Sequence, residues 1–309
     1  MTSANASSAT PSTSVGTVQR IFRYPVKSML GEELTSVQVD ETGVVGDHVW
    51  ALVDVETGKL GNAKNPRKWG HLLKYRAEYI EEPVRGEPLP PLRFTFPDGT
   101  IVLSTDPLID DKLSASIGVE VSLKRMDEVE STTSEMIWLD MLGDTSFSEK
   151  GKVNERGELQ IDFDLEAPPG RSYDLGHLHI LTTSSIAHAQ ELNPAGNFDP
   201  RRYRPNFVID TTGDGFVEAE WFDKTLTVGS VSSVVMMNAV RCIMTTLSHG
   251  ELPVDRGTLR TLVKHNTKRV EPMGDWACFG VYAEVTEVGT VSVGAVATVT
   301  DREPTQASA

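Results

Sequence analysis

Cys242 is the residue with the clearest capacity for chemistry, and it lies in the run Arg241-Cys242-Ile243-Met244-Thr245-Thr246. An adjacent guanidinium favours the thiolate over the thiol, and a thiolate is a soft ligand suited to a transition metal. Two other interpretations stay open at this point. A lone thiol is most often a small packed core residue, and a Cys–His nucleophile is conceivable because His249 and His265 lie downstream. No Cys-x-x-Cys pattern occurs, which excludes a zinc ribbon or a thioredoxin-like site.

Cationic side chains concentrate in three short runs that suit an anion such as phosphate. Lys27 and Ser28 place a point charge beside a hydroxyl donor after a strand. Arg204 and Asn206 end a run in which Arg201 and Arg202 supply two further guanidinium groups. The third run contains Lys64, Arg67 and Lys68 around Pro66. Each run alone is weak evidence, because surface cations are usually only solvated. Three such runs together predict an anion-binding pocket near Cys242.

The charge balance and the cysteine count limit the classes of partner. The 309 residues carry a formal net charge of -15, which repels nucleic acid and anionic membranes at long range, so we expect neither as a partner. Two cysteines cannot form a disulfide framework or supply four thiolates to an iron–sulfur cluster. Any redox chemistry must therefore take its electrons from another polypeptide or a small donor.

The start of the chain does not resemble a signal peptide, and we expect a cytoplasmic protein. Its Ser/Thr/Ala-rich start lacks the basic and apolar regions of a signal peptide. We find no apolar run of about 18 residues, the length that a membrane-spanning helix needs.

The elements that must position these residues are mostly strands. Short apolar stretches alternate with Gly, Pro and Asp turns, and Pro97-Asp98-Gly99 is typical of a hairpin. Strands are predicted at 17–22, 34–40, 49–54, 92–96, 100–103, 178–181, 207–210, 225–228, 231–237, 281–286 and 291–299. Helices are predicted at 106–118, at 184–192 with Thr182 or Thr183 as cap, and at 257–265. The pattern weakens over 128–171, which indicates a mobile connection or an irregular lobe.

These elements predict a mainly β fold of the α+β class. We expect two β-barrel-like lobes with a few helices, and the pocket between or within them. The predicted division is a disordered tail over 1–16, an N-terminal β-barrel domain over 17–127, a second domain over 128–301 and a tail over 302–309.

Several motifs together resemble the two-part MOSC family, in which an N-terminal β-barrel precedes a MOSC domain. The matching runs are Tyr24-Pro25-Val26-Lys27-Ser28-Met29, Gly43-Val44-Val45-Gly46-Asp47-His48-Val49-Trp50, Ala63-Lys64-Asn65-Pro66-Arg67-Lys68-Trp69, Leu178-His179-Ile180-Leu181-Thr182-Thr183-Ser184-Ser185, Phe198-Asp199-Pro200-Arg201-Arg202-Tyr203-Arg204-Pro205-Asn206, the Cys242 run, Phe279-Gly280-Val281-Tyr282-Ala283-Glu284-Val285 and Val293-Gly294. Their order and spacing extend over roughly 17–300. The family includes bacterial reductases of N-hydroxylated compounds and the mitochondrial amidoxime-reducing component.

The resemblance implies a role for each matching residue in binding the molybdenum cofactor, Mo-molybdopterin. Cys242 matches the sulfur ligand of molybdenum. Lys27 and Ser28 match contacts to the phosphate end of the pterin, and Arg204 and Asn206 match cofactor contacts in the MOSC domain. By a looser match, Asp174 takes the place of a pterin-contacting acid.

His48 departs from the family pattern, which commonly has Arg after Gly-Asp. An imidazole can donate to phosphate, but it is charged only near or below its pKa of about 6.5. We therefore expect His48 to bind the cofactor and to release it as the pH rises. Two nearby imidazoles, those of His177 and His179, are expected to be hydrogen-bonded structural groups, with a proton donor as the alternative.

The resemblance implies an oxidoreductase that reduces N-hydroxylated or related N–O substrates at a Cys242-ligated molybdenum centre, without pyridoxal phosphate. Its implied partners are a small-molecule substrate and a separate electron-donor protein, a ferredoxin- or flavin-type reductase. Two alternatives stay open. In the first, the chain is a cofactor carrier or sulfuration protein. In the second, it is a MOSC scaffold whose pocket serves another chemistry.

Overall fold

A computed structural model describes residues 12–137, 151–165 and 167–302. These residues form a mainly β structure with few helices, as the sequence predicts. The strands are β1 (Thr13–Arg23), β2 (Glu32–Leu34), β3 (Ser36–Asp40), β4 (Gly43–Val44), β5 (Trp50–Asp54), β6 (Arg76–Tyr79), β7 (Leu92–Thr95), β8 (Ile101–Leu103), β9 (Val121–Arg125), β10 (Thr133–Ile137), β11 (Lys152–Val153), β12 (Leu159–Asp164), β13 (Leu178–Thr182), β14 (Phe207–Thr211), β15 (Lys224–Val228), β16 (Val231–Val240), β17 (Thr267–Val270), β18 (Gly274–Glu287), β19 (Gly289–Ser292) and β20 (Val296–Asp301). The α-helices are α1 (Pro66–Trp69), α2 (Ile109–Ile117), α3 (Thr183–Leu192) and α4 (Arg256–His265).

Seven strands close into a barrel in the order β13-β14-β1-β20-β15-β16-β18, and β18 pairs back to β13. The pair β13–β14 is parallel, because α3 carries the chain back between these two strands. Apolar side chains that alternate along the strands fill the interior, among them Ile21, Phe207, Val235 and Val281. The barrel therefore provides the rigid frame from which the loops of the candidate site extend.

The first strand belongs to this barrel, which corrects the predicted disordered tail from Thr13 to Gly16. Strand β1 begins at Thr13, where Thr13 and Ser14 pair with Val299 and Thr298 of β20. Its first residues are polar, and pairing with a strand that lies far along the chain is what orders them. Residues 1–11, and 303–309 of the predicted C-terminal tail, lie outside the described residues.

The N-terminal part of the chain forms a second apolar core. Sheets β5–β9 and β6–β7–β8 pack with α2 around Trp69, Leu72 and Phe94. Strand β19, from the C-terminal part, pairs with β3 of the N-terminal part. Because β1 and β19 both pair across the predicted division at 127/128, the two parts share their sheets, and the division itself stays a prediction.

Local sequence signals match most element ends. The Pro97-Asp98-Gly99 hairpin joins β7 to β8, and Thr182 caps α3 by accepting the backbone N–H of Ser185. Helix α2 ends at Gly118 as predicted, with φ 79°, but it begins at Ile109 rather than beside Asp106. The side chain of Asp106 instead accepts the N–H of Leu108 in the turn before the helix. Within 128–171, β10, β12 and β11 form a small antiparallel sheet.

Candidate functional site

Cys242 lies two residues after the end of β16 and caps the start of a 3-10 turn over Ile243–Thr246. Cys242 is a partly exposed residue, whereas Cys278, the other free cysteine, is buried. The backbone carbonyl of Cys242 accepts hydrogen bonds from the hydroxyl and the N–H of Thr245, at 3.0 and 3.3 Å. These bonds fix the backbone of the turn that carries the partly exposed Cys242.

Arg241 holds this turn against the barrel. Its guanidinium donates to the carbonyls of Ala239 and Tyr203 at 2.9 Å each, and to the hydroxyl of Tyr282 at 3.1 Å. The sequence prediction that Arg241 activates the neighbouring thiol stays a prediction, because these contacts give the buried guanidinium a structural role.

Lys27, Lys64 and Asp174 form a partly buried ion cluster near Cys242. The Lys27 ammonium donates to Asp174 Oδ1 at 2.9 Å and to the carbonyl of Ser172 at 2.7 Å. The Lys64 ammonium lies 2.8 Å from Asp174 Oδ2. Burial opposes the charge on Lys64, but Asp174 and nearby Cys242 raise its pKa. Lys27, Asp174 and Cys242, which the resemblance assigns to the cofactor site, thus lie around Lys64.

Electrostatics in this cluster leave positive charge in excess at Lys27. Burial by itself raises the pKa of Asp174, but Lys27 and Lys64 outweigh it and hold that pKa well below its usual range. Burial lowers the pKa of Lys27, and its contact with Asp174 only partly offsets this. A buried cation with a lowered pKa is incompletely compensated, so a bound anion stabilises it.

Asp47, His48 and Arg204 form a second chain of contacts. His48 Nδ1 lies 2.7 Å from Asp47 Oδ2, and the Arg204 guanidinium lies 3.3 Å from His48 Nε2. Arg204 also donates to the carbonyl of Met29, and its guanidinium stacks 4.1 Å above the ring centroid of Tyr24. Burial lowers the pKa of Arg204 despite the nearby carboxylates, so this cation too is incompletely compensated.

Ser28, His48 and Arg204 share an unusual backbone conformation, with φ of 63°, 52° and 56°. In the described part of the chain only one other non-glycine residue, Asp223, has positive φ. Such conformations cost about 1–3 kcal/mol each and concentrate at functional sites. Three predicted cofactor contacts therefore carry most of the non-glycine backbone strain that the structure shows.

Asn206 and Ser28 complete the arrangement. The Asn206 amide donates to Asp47 Oδ2 at 3.3 Å, and its oxygen accepts the N–H of His179 at 3.0 Å. The Ser28 hydroxyl oxygen accepts the N–H of Ala63 at 3.0 Å, which leaves its hydrogen to donate. Ser28 thereby ties the loop after β1 to the segment that carries Lys64.

The other cations of the three basic runs are engaged elsewhere. Arg201 pairs with Asp199 and Glu251, and buried Arg202 donates to two backbone carbonyls. Arg67 pairs with Glu158, and Lys68 pairs with Asp54. Of the cations in these two runs, only Lys64 belongs to the ion cluster, and only Arg204 belongs to the chain of contacts with Asp47 and His48. Lys64 was predicted only as part of a basic run that suits an anion, and no individual cofactor contact was assigned to it, although its Ala63-Lys64-Asn65-Pro66 motif was the available signal.

The two histidines near β13 are hydrogen-bonded, as expected. Buried His179 lies with Nε2 3.2 Å from the carbonyl of Phe279, and burial lowers its pKa well below the usual value. His177 Nδ1 accepts the N–H of Val285 at 3.3 Å. His179 is therefore neutral and structural.

Three further features of the described residues concern metal binding, clefts and membrane-spanning helices. No group of three or more His, Cys, Asp or Glu side chains is arranged there to hold a metal ion. A cleft of about 750 Å³ beside Gly46 and Arg171 is lined by none of the predicted site residues. No helix in the described part of the chain has the length and apolar character needed to cross a membrane.

Comparison with known proteins finds two family models in this chain. Residues 15–78 match the MOSC N-terminal beta barrel domain, and residues 174–298 match the MOSC domain. The chain belongs to the MOSC family, in the two-part form.

Among individual proteins, the chain is similar to mitochondrial amidoxime reducing component 2 of Bos taurus, with 22% identity over 291 residues. The match covers 91% of this chain and 82% of the relative. Among solved structures, the YUAD protein of Bacillus subtilis is 9% identical, with a TM-score of 0.44, and the match covers 96% of this chain and 100% of that one. YiiM of Geobacillus stearothermophilus is 14% identical, with a TM-score of 0.29 over 41% of this chain and 55% of that one.

Proposed function

We propose that this protein binds the molybdenum cofactor and acts as an oxidoreductase on N-hydroxylated or related N–O substrates. One observation carries the proposal. Partly exposed Cys242 lies near Lys64, which shares Asp174 with buried Lys27, and neither Lys27 nor buried Arg204 is fully compensated by its neighbours. A soft anionic ligand next to a cationic cradle suits a metal whose organic ligand ends in a phosphate.

The residues present fit this cofactor. Cys242 offers the thiolate for the metal, and Lys27, Lys64 and Arg204 offer charge-assisted donors for the phosphate. Ser28 adds a hydroxyl donor. Asp174 and Asn206 act through their neighbours, because Asp174 orients the two lysines and Asn206 orients Asp47. When bound, the cofactor supplies two-electron redox chemistry, while the protein supplies binding, orientation and access.

The reaction class follows from the relative's name and from the balance of electrons. Reduction of an amidoxime to an amidine breaks the N–O bond, takes up two electrons and two protons, and releases water. Bulk water reaches the partly exposed Cys242 turn and supplies the protons. The two cysteines cannot hold an iron–sulfur cluster, so a separate ferredoxin- or flavin-type reductase delivers the electrons. We propose a small-molecule substrate, no nucleic-acid or membrane partner, and a cytoplasmic setting.

A second function remains as the alternative, in which the same pocket holds the cofactor for delivery or sulfuration. The accessible position of the Cys242 thiol favours handover as readily as turnover.

Turnover separates the two functions. The protein is purified from cells that make the cofactor, and benzamidoxime is offered with dithionite-reduced methyl viologen as electron donor. We expect benzamidine to form in proportion to bound molybdenum. A protein that binds molybdenum, forms no benzamidine and transfers the metal to an apo-acceptor is a carrier. A protein that does neither has a different function.

A further inference from the structure

The protonation state of His48 follows from its two neighbours. Asp47 accepts hydrogen bonds from the Tyr24 N–H at 2.6 Å and from Asn206 at 3.3 Å, in addition to its contact with His48 Nδ1. A carboxylate that accepts this many bonds is ionised, so Nδ1 carries the hydrogen. A guanidinium has only donors, so His48 Nε2 must accept from Arg204. His48 is thereby fixed as the neutral Nδ1–H tautomer.

This geometry reverses the role that the sequence predicts for His48. Both ring nitrogens are already engaged, so the imidazole is not free to donate to a phosphate. The acceptor at Nε2 instead holds one side of the Arg204 guanidinium, while the carbonyl of Met29 and the ring of Tyr24 hold the others. His48 is one of three contacts that aim a strained, buried arginine.

We propose that neutral His48 is a positioning residue for Arg204, held in its tautomer by Asp47, and that protonation of His48 releases Arg204 and weakens anion binding. The proposal rests on the proposed function only in taking the pocket as an anion site. Protonation places a donor on Nε2 opposite the donor on Arg204, so the hydrogen bond becomes a repulsion between two cations. Anion affinity should therefore fall on acidification, opposite in sign to a direct imidazolium–phosphate contact.

The surrounding groups determine how readily His48 takes up a proton. Burial lowers the pKa of His48, and Arg204 and Lys27 lower it further, whereas Asp47 opposes them. The rings of Tyr24 and Tyr173 lie 6.0 and 6.5 Å from the imidazole, and burial raises the pKa of both phenols. These phenols stay neutral in the range where imidazole titrates.

One further histidine lies near Arg204. Burial lowers the pKa of His249 to about 4, so its titration falls at the acidic end of the range. A His249→Gln variant removes that contribution and serves as a control.

The test measures the affinity of inorganic sulfate by calorimetry from pH 8 to pH 4.5, because sulfate keeps its charge over this range. For the wild type we expect constant affinity at high pH and a decline that begins below about 6.5. His48→Asn tolerates the positive φ but removes the acceptor that reaches Arg204. We expect it to bind sulfate roughly 10-fold to 100-fold more weakly at pH 8, with no acidic decline.

His48→Gln provides the rescue. Its amide oxygen can accept from Arg204 but does not titrate, so we expect affinity within a few-fold of wild type at pH 8 and a flat profile. Circular dichroism confirms folding of each variant, and 15N spectroscopy of the wild type should show His48 protonated at Nδ1.

Three outcomes would overturn the proposal. These are tighter sulfate binding on acidification, equal affinity of wild type and His48→Asn at pH 8, and absence of sulfate binding at every pH. The proposed redox function fails separately, if sulfate binds as expected but the protein carries no molybdenum or forms no benzamidine.

Discussion

The lysine pair at Asp174 shows how single residues prepare the pocket. One carboxylate faces two ammonium groups, at 2.9 Å from Lys27 and 2.8 Å from Lys64. The carboxylate keeps both lysines charged and oriented but cannot neutralise both. An anion that enters therefore finds donors already in place, which reduces the cost of ordering them.

Lys64→Met should lower cofactor retention. The change removes one charge-assisted donor, worth about 1.5–3 kcal/mol, while Lys27 still neutralises Asp174. We expect the affinity for the cofactor to fall by one to two decades. The fall is measured as lower molybdenum occupancy at limiting cofactor. Lys112→Met, on the exposed surface of α2, is the matched loss of one charge and should retain wild-type occupancy. Equal occupancy in both variants would mean that Lys64 does not touch the cofactor.

At this scale the sequence identifies residue types better than their roles. Arg201, Arg202 and Arg204 are equivalent in composition, yet only Arg204 enters the cluster, because its positive φ after the turn over Pro200–Arg202 redirects the side chain. His48 was predicted as a phosphate contact, but its partners are Asp47 and Arg204. Both outcomes depend on backbone strain and distant contacts that no local pattern encodes.

At the scale of elements, the closure of the barrel at β13–β18 places the site. Gly280 of β18 has φ 87° and faces His179 of β13, and a Cβ added there would lie 2.5 Å from His179 Nε2 and from the carbonyl of Ile180. The two strands approach closely at this point because the glycine has no side chain. The same strand carries Tyr282, which holds Arg241 next to Cys242.

Gly280→Ala should destabilise the fold and not merely the site. Backbone strain and overpacking together should lower the free energy of unfolding by roughly 2–5 kcal/mol. Gly58→Ala has similar positive φ but open space around its Cβ, so it should cost only about 1 kcal/mol. Urea unfolding of both variants gives the comparison. A Gly280 variant as stable as the Gly58 variant would show that the strands can separate at little cost.

Elements with local signals were predictable, and those made by distant pairing were not. Helix α3 has a Thr182 cap and strand β13 is continuously buried, so both follow from the sequence pattern. The polar start of β1 reads as a tail and becomes a strand only through β20. The stretch predicted as one strand over 291–299 is divided at Gly294, whose φ of 85° separates β19 from β20.

At the scale of the whole molecule, an acidic protein holds a cluster of buried and partly buried cations, which we propose as an anion site. The net charge of -15 repels anions at a distance, so the attraction of the pocket acts only at short range. The low-dielectric surroundings of Lys27 and Arg204 then strengthen each contact with a bound anion. This combination favours tight retention over rapid capture.

Stability should fall as the pH drops below about 6.5. Burial lowers the pKa of His48, His179 and His249 in the folded state, the last to about 4, whereas the unfolded chain takes up protons near 6.5. Stability is therefore fully present above the unfolded pKa and is lost as the pH falls towards the folded values. Each histidine contributes a slope of up to about 1.4 kcal/mol per pH unit.

Urea unfolding at pH 7.5 and pH 5 measures this loss, and His249→Gln should reduce it by the share of one histidine. Equal stability at the two pH values would mean that these imidazoles are solvated in the folded protein.

The most direct test of the central claim is the quantity of molybdenum and pterin in freshly purified protein, wild type beside Cys242→Ser. Serine is nearly isosteric, but its hydroxyl ionises far less readily and its oxygen is a harder ligand than sulfur. We predict stoichiometric molybdenum and pterin in the wild type. We also predict a folded Cys242→Ser variant that retains little molybdenum and forms no benzamidine. Wild-type protein without molybdenum or pterin, or equal turnover by the serine variant, would contradict the assignment of Cys242 as the metal ligand of a cofactor-binding site.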